Sequence, residues 1–145
     1  MPDLFNVVCA KCDAVNRIPR RRPASQAVSG RYKAKLFDGR PLELDGARFR
    51  HHVERNDVPA IAHFWAPWCG QCRAMGWIFE RAAHEPEAKV RVVKVNVDEN
   101  GSLAGELGMQ EIPAFFFLKH GRVLAQRAGL ANAATLEGWV RHFGT

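Results

Sequence analysis

Two pairs of cysteines carry the chemistry legible in this chain: Cys69 and Cys72, in Trp68-Cys69-Gly70-Gln71-Cys72, and Cys9 and Cys12 near its start. In each pair two residues intervene, a spacing that brings both sulfurs within disulfide reach across one turn of backbone. Such pairs in a reducing compartment bind metal or exchange electrons. For Cys69 and Cys72 the expectation is redox chemistry, because an apolar run of strand length precedes them and a helical pattern follows. A sulfur where a helix begins faces unpaired N–H groups and the positive end of the helix dipole, which lower the pKa of Cys69. Cys69 would then attack a disulfide, and Cys72, one turn further in, would resolve the mixed disulfide. Gly70 keeps the start of the helix small, and Trp68 is placed to pack beside the sulfur. The competing reading is half of a zinc site or a pair of core thiols.

The elements that must hold these residues follow from periodicity. Ala60 to Trp65, between Pro59 and Pro67, reads as a strand, and from Cys69 onward Met75, Ile78, Phe79 and Ala82 share one helical face until Pro86 ends the helix. Val90 to Val97 reads as a buried strand and Ser102 to Leu107 as a short helix stopped by Gly108. Phe115 to Leu118 and Val123 to Ala128 form a hairpin about Lys119-His120-Gly121-Arg122, and Ala133 to Phe143 is an amphipathic helix. With a short strand at Pro41 to Leu44 and a helix over Ala47 to Arg55, the order is βαβαβαββα. The fold class is therefore α/β, a mixed central sheet with helices on both faces.

The chain has 145 residues, 47% apolar and 25% charged, which suits one domain with a small appendage and excludes disorder. No run approaches the roughly 18 apolar residues of a membrane span, and Leu4 to Val8 is too short for the centre of a signal peptide, so a cytoplasmic protein without membrane partners is expected. The net charge of +6 is concentrated in residues 1–35, which hold eight Lys/Arg against two Asp. Arg20-Arg21-Arg22 lies in a stretch, Pro19 to Gly30, without apolar periodicity. This reads as a solvated basic loop or linker with a boundary near residue 35. Nucleic-acid binding is not expected, since neither interleaved aromatics nor a base-reading helix accompanies the arginines.

Phe64-Trp65-Ala66-Pro67-Trp68-Cys69-Gly70-Gln71-Cys72 resembles the active-site segment of the thioredoxins. Lys94-Val95-Asn96-Val97-Asp98, Ile112-Pro113, Lys119-His120-Gly121 and Gly129 are similar, in order, to that family's central strand, cis-proline turn, hairpin and closing glycine. The resemblance covers 36–145. Cys9-Ala10-Lys11-Cys12 with Asn16-Arg17-Ile18-Pro19 is similar to the head of bacterial thioredoxin 2, which makes 1–35 a basic extension of degenerate zinc-ribbon type. The resemblance implies a protein-disulfide reductase acting on oxidised proteins, without a bound cofactor, and restored by a flavin-containing, NADPH-dependent thioredoxin reductase. It also implies a cis Pro113 against Cys69, which leaves nearby backbone to pair with an extended substrate segment. The alternative function is a thioredoxin-fold binding module with a basic head and vestigial redox chemistry.

Several positions depart from the family pattern. Gln71 replaces the usual proline, Trp77 stands at a usual kinking proline beside Gly76, and Ala114 follows Pro113 where threonine is usual. His63 occupies the place of a buried aspartate beneath the redox pair. It is either a base for the resolving thiol, titrating somewhat below the unperturbed value of about 6.5, or a buried, neutral, hydrogen-bonded core histidine. In the head, Ser29-Gly30-Arg31-Tyr32 keeps the spacing of a second cysteine pair without its ligands, and His51 and His52 belong to the first helix of the main domain. Zinc is not expected, because a structural site needs four N or S ligands. Cys9 and Cys12 are then half of a metal site, remnant thiols, or a second redox pair.

Overall fold

Ala60–Trp65 is apolar except for His63, and in the computed structural model it forms the middle strand of a five-stranded sheet, where both faces are covered. The structure describes residues 4–30, 33–37, 40–83 and 89–143. Its strands are β1 (Leu4–Val8), β2 (Val15–Pro19), β3 (Leu42–Glu43), β4 (Ala60–Trp65), β5 (Arg91–Asn96), β6 (Ala114–Lys119) and β7 (Arg122–Ala128). The helices are α1 (Gly46–Arg55), α2 (Gly70–Ala83), α3 (Gly101–Glu106) and α4 (Ala133–Phe143). From β3 onward this is the expected order, and Pro86 lies outside the described residues.

The sheet runs β3-β5-β4-β6-β7. Helical crossovers make β3, β5 and β4 parallel, whereas β6 and β7 run antiparallel to their neighbours. The β6–β7 turn is tight because His120 and Gly121 both take positive φ, 51° and 80°, the twist that matches a two-residue hairpin. Gly108 and Gly129 also adopt positive φ, where a side chain would be strained. Asp45 starts α1 by accepting the Arg48 N–H at 2.9 Å.

Strand alternation sends residues of β4 to two cores. Ala62 and Phe64 join Phe49, Val53, Val93, Val95, Leu103 and Phe116 on the side of α1 and α3. Ile61 joins Met75, Phe79, Val92, Phe115, Phe117, Leu136 and Val140 on the side of α2 and α4. Helix α2 continues through Gly76 and Trp77, and Trp77 is on its outer, exposed side.

The head contains a hairpin that periodicity does not reveal, β1 against β2, and the loop beyond it is packed rather than slack. Ala24, Ala27 and Ser29 are buried, and Leu36 shares a small core with Phe5, Val7, Cys9, Ile18 and Val58. The outer edge of β1 is paired by the segment after α1. Asn6 exchanges hydrogen bonds with Asp57, its N–H to Oδ2 at 2.6 Å and its carbonyl to the Asp57 N–H at 2.8 Å, and the Val8 N–H reaches Asn56 Oδ1 at 2.7 Å. Arg91 on β5 donates to the Val8 carbonyl at 2.7 Å, and Lys89 donates to the Arg20 carbonyl.

Candidate redox site and the N-terminal head

β4 ends at Trp65, and after four intervening residues α2 begins at Gly70, which leaves Cys69 at the helix boundary. The Cys69 N–H is held by the Ala66 carbonyl at 3.1 Å and its carbonyl by the Arg73 N–H at 3.3 Å. The Cys72 N–H points at Cys69 Sγ, 3.2 Å away, so the sulfur occupies the place of an N-capping side-chain oxygen. Cys69 and Cys72 are disulfide-bonded with Cα atoms 5.2 Å apart. Both are buried against Ala66, with Trp65, Val97 and Ile112 packed around them. When such a pair is reduced, the oriented amides and the helix dipole favour a thiolate on the first sulfur.

The other predicted site residues divide by exposure. Trp68 is 69% exposed. Its indole N–H donates to Asp98 Oδ1 at 3.2 Å, which ties the ring to the loop after β5. Gln71 is exposed, and no atom lies within 4 Å of a Cβ built on Gly70, so small size there is not demanded by crowding within the chain. The Ile112–Pro113 peptide is cis, with Pro113 buried and Ile112 in the cluster with the sulfurs. Beside Trp68 and Ile112 a groove of about 400 Å³ is lined by Val97, Met109 and Gln110. Asp98, Met109 and Gln110 were not singled out by sequence, because only the fold brings them to the rim.

His63 is 1% exposed. It lies on the β4 face covered by Met75 and Phe79, the α2 face that one turn earlier carries Cys72. Its ring contacts Phe79 at 5.3 Å as well as Phe115. Neither ring nitrogen has a hydrogen-bond partner among the described residues. Burial, reinforced by the Lys94 charge, lowers its pKa to about 4, well beyond the modest shift expected. The hydrogen-bonded core histidine is thus corrected to a buried, neutral imidazole with no hydrogen-bond partner among the described residues.

In the head the described residues that flank the two half-motifs make matching backbone hydrogen bonds. Cys9 donates to the Ala14 carbonyl at 2.9 Å and accepts from the Asp13 N–H at 2.9 Å; Ser29 donates to the Ala34 carbonyl at 2.8 Å and accepts from the Lys33 N–H at 3.0 Å. Asp13 and Lys33 both have positive φ, 61° and 54°. The knuckle persists, but its second copy lacks sulfur. Ser29 is buried with Oγ accepting the Ala34 N–H at 3.2 Å, and Tyr32 lies outside the described residues. Among the described residues no group of three or more His, Cys, Asp or Glu could hold a metal. Two thiolates without further ligands do not fit the tetrahedral zinc that the thioredoxin 2 resemblance implies.

Asp13 instead fastens the head to α1. Its carboxylate accepts from Arg48 Nε at 2.8 Å, Arg48 Nη2 at 2.9 Å and His52 Nε2 at 2.8 Å, while His51 Nε2 donates to its carbonyl at 2.7 Å. The Arg48 hydrogen bond chiefly holds the Asp13 pKa at about 2. Burial drives His52 to about 4, so it is neutral with its proton on Nε2.

The thioredoxin family model matches residues 40–142. The chain belongs to the thioredoxin family. It is 35% identical over 101 residues to thioredoxin of Porphyra purpurea, covering 70% of this chain and 94% of that protein. To thioredoxin 2 of Chlorobaculum tepidum it is 36% identical over 93 residues, covering 64% and 85% respectively. Among solved structures, a mutant thioredoxin from Halobacterium salinarum NRC-1 superposes with a TM-score of 0.66 at 27% identity, covering 74% of this chain and 93% of its own. Thioredoxin from Malassezia sympodialis gives 0.61 at 30% identity, covering 70% and 88%. As a thioredoxin, the chain is a protein-disulfide oxidoreductase, and protein substrates and a thioredoxin reductase are the family's usual partners. Among the described residues no helix is long and apolar enough to cross a membrane.

Proposed function

We propose that this thioredoxin is a cytoplasmic protein-disulfide reductase whose thioredoxin domain, 36–145, follows a basic head, 1–35, that is a metal-free relative of the thioredoxin 2 zinc ribbon. The observation that carries the reading is the Cys72 N–H aimed at Cys69 Sγ where α2 begins, an arrangement that stabilises a thiolate on Cys69. In the reduced protein that thiolate attacks one sulfur of a substrate disulfide, forming a mixed disulfide as the other substrate sulfur leaves as thiolate. Cys72 then gives up its proton and attacks Cys69 Sγ, and the second substrate thiolate leaves. The substrate has gained two electrons, and the chain holds the Cys69–Cys72 disulfide. An NADPH-dependent thioredoxin reductase returns the electrons.

Trp68, Gly70 and Gln71 border the reacting sulfurs, and the backbone at Pro113 pairs with an extended substrate segment lying in the groove. His63, neutral at physiological pH, is assigned as the acceptor of the Cys72 proton. Reduction of insulin disulfides, driven by dithiothreitol or by NADPH and thioredoxin reductase, tests the reading. The wild-type protein should accelerate it and Cys69→Ser should abolish it. Full activity in Cys69→Ser would overturn the proposal, and a wild-type protein that does not accelerate the reaction would overturn it in favour of a binding module.

A further inference from the structure

The turn at Cys9 and Cys12 repeats the construction of the turn at Cys69 and Cys72. In both, the carbonyl of the first cysteine accepts the N–H four residues on, from Asp13 at 2.9 Å in the head and from Arg73 at 3.3 Å at the redox site. That bond closes a single turn of backbone; across such a turn residues three apart lie about 5–6 Å from one another, inside the Cα range of a disulfide, as the 5.2 Å between the Cys69 and Cys72 Cα atoms illustrates. At the redox site the N–H of the second cysteine is directed at the sulfur of the first, and in the head the N–H groups of Cys12 and Lys11 act to lower the Cys9 pKa. Both head cysteines are thiols. Cys9 lies in the small head core and Cys12, packed against it, is part-exposed.

We propose that Cys9 and Cys12 are a second dithiol–disulfide site in this protein, a modification site that takes low-molecular-weight disulfides independently of Cys69 and Cys72. Cys12 is the accessible sulfur and reacts first. Its thiol releases a proton to water, and the thiolate attacks one sulfur of the incoming disulfide and expels the other as thiolate. Cys9 then gives up its proton, which passes to the departing sulfur, and attacks Cys12 Sγ from inside as the second small thiol leaves. Two thiols of the head are oxidised, one small disulfide is reduced to two thiols, and no metal is needed.

The surroundings of Cys9 suit the resolving role. Burial acts to raise its pKa, but the N–H groups of Cys12 and Lys11, the Cys12 thiol and the charge of Arg91 outweigh it and leave the thiol below its ordinary value. Among the described residues a metal competing for the pair finds no further ligands, and Ser29 stands with its Oγ on the Ala34 N–H.

The test uses the full chain with Cys69→Ser and Cys72→Ser, equilibrated in glutathione buffers, quenched in acid and alkylated. Both head thiols should be lost together in a single two-electron transition. Adding Cys9→Ser should trap glutathione on Cys12, whereas adding Cys12→Ser should slow adduct formation at least tenfold. Trypsin provides a readout in the wild-type chain, because Lys11 lies between the two cysteines. After oxidation, unreduced peptides 1–11 and 12–17 should travel as one linked species. Head thiols that remain fully alkylatable in excess oxidised glutathione, or a glutathione adduct that persists on Cys12 with Cys9 intact, would overturn the proposal. Insulin reduction by Cys9→Ser/Cys12→Ser should equal wild type, so the two sites fail or succeed separately.

Discussion

The imidazole of His63 lies stacked on the ring of Phe115, with centroids 4.9 Å apart and planes 12° from parallel. A stacked ring presents its nitrogens edge-on, and both lack hydrogen-bond partners among the described residues. An unpartnered buried polar group costs roughly 1–3 kcal/mol, so stability alone does not account for it. Replacement by a ring of similar size separates structure from chemistry. His63→Phe should preserve or raise the melting temperature while slowing resolution of the mixed disulfide on the order of 10²-fold, with the first attack by Cys69 little changed. Rapid-mixing kinetics of the two steps checks this; an unchanged second step would return His63 to packing alone.

Stability should fall as pH drops below neutrality, because His52 and His63 each have a folded pKa of about 4 against the ordinary 6.5. Between those values the unfolded chain binds protons that the folded one refuses, so protonation favours unfolding. Each histidine contributes a slope of up to about 1.4 kcal/mol per pH unit in that window, levelling below pH 4. Urea unfolding at a series of pH values measures it. His63→Phe should remove about half of the slope.

Asp13 acts in the same sense at lower pH. Its folded pKa of about 2 lies below the ordinary 3.8, so its contribution is complete above that value and is lost as pH falls toward 2. Asp13→Ala should weaken the head by roughly 1.5–3 kcal/mol through lost charge-assisted hydrogen bonds. Hydrogen exchange should report it as faster exchange at Asn6 and Val8, with insulin reduction unaffected.

The head should purify without stoichiometric zinc, since Cys9 and Cys12 offer two thiolates where a structural site takes four ligands. Elemental analysis of protein prepared without chelator checks this. One zinc per chain would require ligands that the described residues do not supply.

Elements whose order depends on local pattern were legible in the sequence. Ala60–Trp65 and Ala133–Phe143 form the expected strand and helix because their apolar spacing matches their burial. The hairpin at His120 and Gly121 follows from residues that tolerate positive φ. That Cys69 and Cys72 lie within disulfide reach was legible for the same reason, as their spacing is local. Long-range placement was not. The β1–β2 hairpin is short, and the partners that complete its edge, Asn56, Asp57 and Arg91, lie some fifty to eighty residues away. The depth of the His63 shift was likewise hidden, because Phe79 and Phe115 arrive from separate elements.

The sheet closes on one side in β7, exposed at six of its seven positions, and on the other in the two-residue β3. An open strand edge is a template on which a second molecule can add a strand. Here β7 carries Arg122 and Arg127, and its pairing with β6 shifts register between Phe117 and Leu118. Two such edges meeting would bring like charges together along a backbone interrupted by a bulge, while β3 is too short to seed pairing. Protection against self-association is therefore built into the sheet's margins, and it should survive changes at either cysteine pair.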